Sequence, residues 1–479
     1  MNITPRIGSV RRKAKGLDAR LRQLGIRATD SGPTTSAGTA RVAVVIPVFN
    51  AMPYLRELLE SLAAQDLDPA LFEVIAVDDG STDGAAQVLQ DFGAHHPNWR
   101  VIRQRNSGWP GQPRNVGIAA STSDYVFFAD ADDVLGSETL RRMVAFADEH
   151  QVDVLAPRMV GIGGRGIVPG VYTKTLVDAP LRTILATLSP QKMVRRELLD
   201  THSIRFPEGL IRLEDGMMLT RCYLASRRNS ILVDYDYYFI RTREDGGNIS
   251  SRRSAPEEYT NSVATIARII KDNLEDAGQT EVLVLDLYRR KVLRAYAPAR
   301  FRAMNAHTRA RTLAAHARFA SEHIPEALEA HLGFPHLQRS RLVRSQDEAG
   351  LLRLARTEED LNPACRAELL ASPNAGLLFD LGQAVGYQAV RLLARARGAD
   401  ATMAFDLARS GAGHTLALPL AELSGLGPVL VDFYVQLRLD GIDGPALRVL
   451  APARGLPRNL DGTRLYATVK GYLSLDQRG

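Results

Sequence analysis

Two clusters of carboxylates, each at the end of an apolar run, are the residues whose types and spacing could do chemistry. Phe72-Glu73-Val74-Ile75-Ala76-Val77 runs into Asp78, Asp79, Gly80 and Ser81, and Tyr125-Val126-Phe127-Phe128-Ala129 runs into Asp130, Ala131, Asp132 and Asp133. Closely spaced acids repel one another, and a divalent cation relieves the repulsion. Hard carboxylate oxygens suit Mg²⁺ or Mn²⁺, which keep some waters and share substrate phosphates. A further pair, Glu214-Asp215, opens a run with helical spacing through Met217, Leu219 and Tyr223. Taken alone, that pair needs only the helix dipole, which favours acids in a first turn.

The elements that must position these acids follow from periodicity. Both runs are β-branched or aromatic and of the length of a buried parallel strand, and Arg41 to Ile46, stopped by Pro47, makes another. In an open α/β sheet, ligands bind outside the carboxyl ends of the strands, so both clusters should face one crevice. Leu55, Leu58, Leu59 and Leu62 form a helix face, Ser81-Thr82-Asp83 caps a second helix, and a short strand lies near Val101. Residues 106–115 read as a loop, followed by a helix over 116–120, one over 140–147 and a strand over 152–156. The glycines and prolines of 157–180 predict an irregular segment, with helices over 181–188 and 192–199. Asp133 is predicted to cap a helix.

Ser254-Ala255-Pro256-Glu257 has the form of a capping box, and helical spacing continues to about residue 395. Alternation then takes over, at Met403, Phe405 and Leu407 and at Phe433, Val435, Leu437 and Leu439, predicting a small antiparallel sandwich. The expected organisation is a tail and linker over 1–40, an α/β domain over 41–255, a helical connector over 256–395 and a β-rich module over 396–479.

A chain of 479 residues is too long for one ordinary core, and 45% hydrophobic with 24% charged residues is a soluble globular composition. No apolar run is long enough for a transmembrane helix and no signal peptide is evident, so the expected location is cytoplasmic. Cys222 and Cys365 have neither metal nor disulfide spacing and read as core thiols. The net charge of +6 sits in the N-terminal tail, where eight basic residues between Arg6 and Arg27 face the single acid Asp18. A tail of this kind can touch anionic lipid at the inner face of the membrane, or merely be solvated; without aromatic interleaving or a recognition module it does not predict nucleic-acid binding.

Four motifs in order, Val45-Ile46-Pro47-Val48-Phe49-Asn50, Val77 to Asp83, Asp130-Ala131-Asp132-Asp133 and Glu214-Asp215, resemble the family 2 glycosyltransferases over roughly residues 41 to 250. The resemblance implies the GT-A nucleotide-diphospho-sugar transferase fold, α/β with a mostly parallel sheet. It also implies that Pro47 and Phe49 shape the nucleotide pocket, with Asp79 accepting from the nucleobase and Asp78 close by. Asn106 and Arg114 would follow the base and diphosphate, although Arg114 could equally form a surface salt bridge. Asp130 and Asp132 would hold Mn²⁺ or Mg²⁺ against the diphosphate of a UDP-sugar, and Asp215 would be the general base of an inverting transfer, with Glu214 orienting it or touching the acceptor.

In the order of its parts the chain is similar to the bacterial wall teichoic acid glycosyltransferases, which add N-acetylglucosamine from UDP-N-acetylglucosamine to poly(ribitol phosphate) and trimerise through the C-terminal part. The β module here is shorter, which weakens the expectation of a trimer, and residues 237–251 lack the metal-binding histidine of some relatives. His202 lies before the Glu-Asp pair and reads as a loop histidine. Arg241, Arg243, Arg252 and Arg253 could hold a phosphate-rich acceptor or form a solvated loop. Two other readings stay open: a glycosyltransferase for capsule, exopolysaccharide or glycolipid, and a glycan-binding or assembly protein that has lost turnover.

Overall fold

The computed structural model describes residues 40–167, 170–249, 254–362, 366–369, 376–380, 387–410, 413–452, 456, 458–460 and 463–478. The basic tail, Cys365, Arg252 and Arg253 lie outside the described residues. Two compact units are present, divided between Asp286 and Leu287.

The first unit is built on strand β1 (Val42–Val48), which pairs in parallel with β2 (Phe72–Asp78) on one side and β4 (Tyr125–Phe128) on the other. Val42, Val44, Val45 and Ile46 are fully buried, and each contributes on the order of 1.5–3 kcal/mol relative to an exposed side chain. β3 (Trp99–Arg103) extends the sheet beyond β2. On the far side of β4 come β8 (Met193–Arg195), β6 (Val154–Pro157) and β9 (Asn229–Leu232). β8 runs antiparallel to both neighbours, and the other pairings are parallel. A small second sheet joins β5 (Val134–Leu135), β10 (Tyr238–Arg241) and β7 (Met159–Ile162).

Helices α1 (Tyr54–Ala63), α2 (Ala85–His95), α3 (Gly111–Ala120) and α4 (Thr139–Glu149) connect the strands. α3 begins earlier than expected and absorbs half of the predicted loop. Pro110 sits at its N-cap and Pro113 in its first turn, where the missing N–H has no helical partner to lose. Gly117 lets α3 lie directly on β1, since a Cβ there would come within 2.3 Å of Val45.

Other expectations fail for identifiable reasons. The predicted helix over 192–199 is β8 followed by the short helix α6 (Arg196–Thr201), after α5 (Leu181–Ile184). Three residues of strand are too few for periodicity to reveal. The irregular segment contains β7. Asp133 caps no helix; it accepts hydrogen bonds from Tyr238 Oη and the Arg241 N–H, both at 2.7 Å, and so ties β10 to the turn that leads into β5. The cap of helix α8 (Pro256–Asn273) lies one residue later than expected, with Glu258 accepting from the Ala255 N–H at 3.4 Å.

α8, the first helix of the expected connector, falls within the first compact unit. It packs on α7 (Glu214–Ala225): a Cβ on Gly216 would lie 3.1 Å from Ile266, and Val263, Ile266, Ile269 and Ile270 are buried.

In the second unit the helices end at Thr357, and strands begin at Arg366, well before the boundary expected at residue 395. A four-stranded and a seven-stranded sheet, antiparallel throughout, share one core. Phe379 of one meets Phe433 of the other with ring centroids 5.5 Å apart, as in a sandwich. No helix among the described residues is long and apolar enough to cross a membrane.

Candidate active site

The carboxyl ends of β1, β2 and β4 open into a cavity of about 550 Å³ within the first unit. Pro47, Phe49, Asp79, Asn106, Arg114, Asp130, Asp132, Glu214 and Asp215 all line it. Asp78 does not; it is 1% exposed, accepts from the Ser81 N–H at 2.9 Å and has Arg103 Nε at 3.2 Å from its other oxygen. It therefore secures the turn after β2 and cannot meet a ligand in the cavity.

Around the mouth the backbone is shaped for close approach. Gly80 has φ +79°, and a Cβ there would lie 3.0 Å from the Asn106 N–H nitrogen. Asn50 and Leu213 adopt left-handed backbone, at φ 48° and 58°, and both line the cavity. A bulky non-glycine residue in that region stores local strain and tends to do so at functional sites. Asn50 is held by Ser81 Oγ, which accepts from its N–H at 3.2 Å, and its Oδ1 accepts from the Thr82 N–H at 2.9 Å.

Asp79 accepts from Gln104 Nε2 at 2.6 Å, from Ser107 Oγ at 2.8 Å and from the Ser107 N–H at 3.0 Å. Burial raises its pKa against these bonds. Its first task is to hold the 104–108 loop against β2, which leaves little lone-pair capacity for a ligand. Asn106 Oδ1 accepts from the Gly108 N–H at 2.7 Å and fixes the tip of that loop.

Arg114, on α3, is not a surface residue. It is 4% exposed, donates to Asp130 Oδ1 at 2.8 Å and to Glu214 Oε1 at 3.1 Å, and lies 5.2 Å from the Phe206 ring centre. Burial would lower its pKa, but the charges of Asp130, Glu214 and Asp215 raise it. One guanidinium thus links the second acid cluster to the Glu-Asp pair. Asp215 accepts from the Gly216 N–H at 2.8 Å at the start of α7.

The remaining oxygen of Asp130 accepts from Gln191 Nε2 at 2.7 Å. Asp132 accepts from Asn248 Nδ2 at 3.0 Å, and its pKa is pushed up to about 6, first by burial and then by the charge of Asp130, against Arg243. Crowded acids in an enclosed oxygen-rich site are the setting a hard divalent cation would relieve. The donor set fits an ion held by Asp132, with Asp130 beside it, and completed by phosphate oxygens and water. Among the described residues no three His, Cys, Asp or Glu side chains form a metal cage of their own.

Arg241 and Arg243 also line the cavity, with side chains 17% and 10% exposed, so they are not part of a solvated loop. Arg243 stacks on Tyr54 at 5.1 Å and donates to the Asn50 carbonyl at 3.2 Å. His202 ends α6 and is not among the lining residues. Gln191, Asn248, Trp109, Arg165 and Arg212 line the cavity and were not anticipated.

Residues 43–203 match the family described as Glycosyl transferase family 2, and residues 256–355 match the Glycosyl transferase TarS linker domain. The chain is 38% identical over 247 residues to the poly(ribitol-phosphate) beta-N-acetylglucosaminyltransferase TarS of Staphylococcus aureus, covering 51% of this chain and 43% of that protein. It is 32% identical over 342 residues to a poly(ribitol-phosphate) beta-glucosyltransferase of Bacillus spizizenii, covering 69% and 53% respectively. The chain thus spans about half the length of these two relatives. It is 31% identical to the glycosyltransferase GlyG of Streptococcus pneumoniae and covers 70% of that protein. The crystal structure of S. aureus TarS 1-349 in complex with UDP-GlcNAc superposes with a TM-score of 0.62 at 29% identity, over 69% of this chain and 95% of that one.

Proposed function

Because the chain belongs to glycosyl transferase family 2, we propose that it is an inverting, metal-dependent transferase. It moves a sugar, N-acetylglucosamine or one like it, from a UDP-sugar to a hydroxyl of a polyol-phosphate polymer. The observation that carries this reading is the single cavity lined by Asp130, Asp132, Glu214 and Asp215, with Arg114 bonded to both acidic segments.

Inverting transfer needs charge compensation on the departing diphosphate and, on the opposite side of the sugar, a carboxylate to take the acceptor's proton. Asp132, with Asp130 beside it, would hold a Mg²⁺ or Mn²⁺ ion that offsets the negative charge building on the diphosphate. Asp215 takes the proton of the attacking hydroxyl. Glu214 is committed to Arg114, so its work is to keep the start of α7 in register with Asp130. Arg241 and Arg243 add positive charge at the rim, although their donors are already engaged, Arg241 by Glu57 and the Asp132 carbonyl and Arg243 by Asp245.

The experiment is a transfer assay on poly(ribitol phosphate) with a panel of UDP-sugars, with and without Mn²⁺. The panel includes UDP-glucose, because one relative's name specifies beta-glucosyl transfer. Metal-dependent release of UDP coupled to sugar incorporation supports the reading. Sugar-nucleotide binding without turnover under any condition would favour a binding protein instead.

A further inference from the structure

We propose that the helical part of the second unit carries a binding surface for the acceptor, on which exposed arginines between Arg294 and Arg318 hold the phosphodiesters of a polyol-phosphate polymer. The proposal rests on the reading of the acceptor as such a polymer.

Residues 287–321 contain nine lysines and arginines and not one aspartate or glutamate. Acids elsewhere in the chain hide this run in the total charge. Within it lie α9 (Pro298–Arg302) and most of α10 (Ala306–His323), and α11 (His336–Arg344) and α12 (Glu348–Thr357) pack against them. Acids on and beside those neighbours are already engaged: Glu348 with Arg309 at 2.6 Å, Glu358 with Arg339 at 2.7 Å, Asp347 with Arg353 at 3.5 Å, and Glu329 with Arg344. Arg294, Arg300, Arg302 and Arg318 are exposed and form no ion pair among the described residues. Arg318 shares an exposed stripe of α10 with Arg311, about two turns away.

The surplus of positive charge reaches the interior. His316 of α10 is buried with its Nδ1 3.0 Å from Tyr296 Oη, and its pKa is pushed down to about 3, first by burial and then by Arg300. His336, at the start of α11, is pushed down to about 4 by burial, Arg339 and Arg289. The charges acting on both rings are arginines.

Like charges that meet no acid repel one another, and a bound anion relieves the repulsion. The guanidinium fork matches phosphate oxygens. Each exposed contact is weak, so one phosphate alone would not be held. A polymer with a charge in every repeat makes several such contacts at once. A bilayer surface is the poorer match. None of the large exposed hydrophobic side chains among the described residues lies between 287 and 357, and the apolar residues of α9 and α10, Phe301, Leu313 and Phe319, are buried in their own unit.

The test compares the full chain with its triple variant Arg300→Gln, Arg302→Gln and Arg318→Gln. Glutamine removes the charge and is about as good a helix former as arginine. Binding of fluorescently labelled poly(ribitol phosphate), without donor, should weaken roughly tenfold, as expected for three exposed ion contacts, and its salt dependence should become shallower. Thermal unfolding should give an unchanged or higher Tm, because the lost charges had no partners in the fold. Equal polymer binding by both proteins, or a lowered Tm, overturns the proposal. So does a variant that loses only its binding to phosphatidylglycerol vesicles, which would make the surface a membrane contact.

Kinetics supply a second, independent readout. A surface outside the cavity acts only on an acceptor long enough to touch both, so the acceptor KM should rise for long polymer and stay unchanged for short ribitol-phosphate oligomers. Donor KM and the slow hydrolysis of UDP-sugar without acceptor should not move. Equal losses on long and short acceptors overturn the proposal. Wild-type protein that binds the polymer through these arginines but transfers no sugar to it overturns the reading of the reaction and leaves the surface standing.

Discussion

The guanidinium of Arg114 donates to the carboxylate of Asp130 at 2.8 Å with both groups held inside the cavity wall, and a second nitrogen of the same group reaches Glu214 at 3.1 Å. Residues 100 positions apart in sequence are thereby fixed across one gap. Arg114 and Glu214 form a buried pair, with Asp130 partly exposed beside it, and a buried pair becomes costly when one partner is removed.

Arg114→Ala should therefore lower stability by about 3–5 kcal/mol, the range for breaking a buried pair, and reduce kcat through misplacement of both acids. Arg114→Lys keeps the charge but has no fork to reach two carboxylates at once, so it should recover part of the stability and little of the activity. Urea unfolding together with transfer kinetics separates the two effects. A lysine variant with wild-type kcat would contradict the bridging role.

Asp215→Asn should reduce kcat by about 10²–10⁴-fold, the usual contribution of a general base, with UDP-sugar affinity unchanged. Donor affinity can be read by thermal shift in the presence of Mn²⁺, since a ligand that binds only the folded state raises Tm by mass action.

Asp132→Asn should abolish the extra stabilisation that Mn²⁺ gives to the sugar-nucleotide complex while leaving the fold intact. The sign of its pH effect is fixed by the raised carboxyl. The folded state holds that proton more tightly than the unfolded chain, so wild-type stability declines as pH rises from 3.8, the ordinary value, to about 6. The asparagine variant should lack this decline, which metal-free thermal unfolding at pH 4 to 7 would reveal.

Much of this site was legible in the sequence because strand ends carrying acids announce themselves: β1, β2 and β4 are apolar runs that stop at chemistry. What could not be read was which neighbour each acid would meet. Asp78 and Asp79 look alike, yet one turns to Ser81 and Arg103 and the other to the loop carrying Ser107. Asp133 looked like a cap until Tyr238 and Arg241, far along the chain, claimed it. β8 is too short to show a period, and α3 was hidden by prolines that a first helical turn tolerates. In the second unit, alternation located the later strands and missed those that begin at Arg366.

The second unit has a charge cluster of its own. The Asp432 carboxylate would be raised by burial, but hydrogen bonds from Arg397, Arg448 and Ser474 prevail and hold it at about 2. A depressed carboxyl contributes stability that is fully present above its ordinary value of 3.8 and is lost as pH falls towards about 2. Asp432→Asn should cost about 2–3 kcal/mol at neutral pH and flatten the acid dependence of unfolding between those values. Acid titration followed by circular dichroism checks both.

The central claim is that the metal-side acids and Asp215 act from opposite faces of one bound sugar. It is tested most directly by a crystal structure of the Asp215→Asn variant with intact UDP-N-acetylglucosamine and Mn²⁺. The account predicts the diphosphate and metal at Asp132, with the anomeric carbon between them and residue 215. A sugar directed away from residue 215, with no room for an acceptor hydroxyl between them, would contradict it.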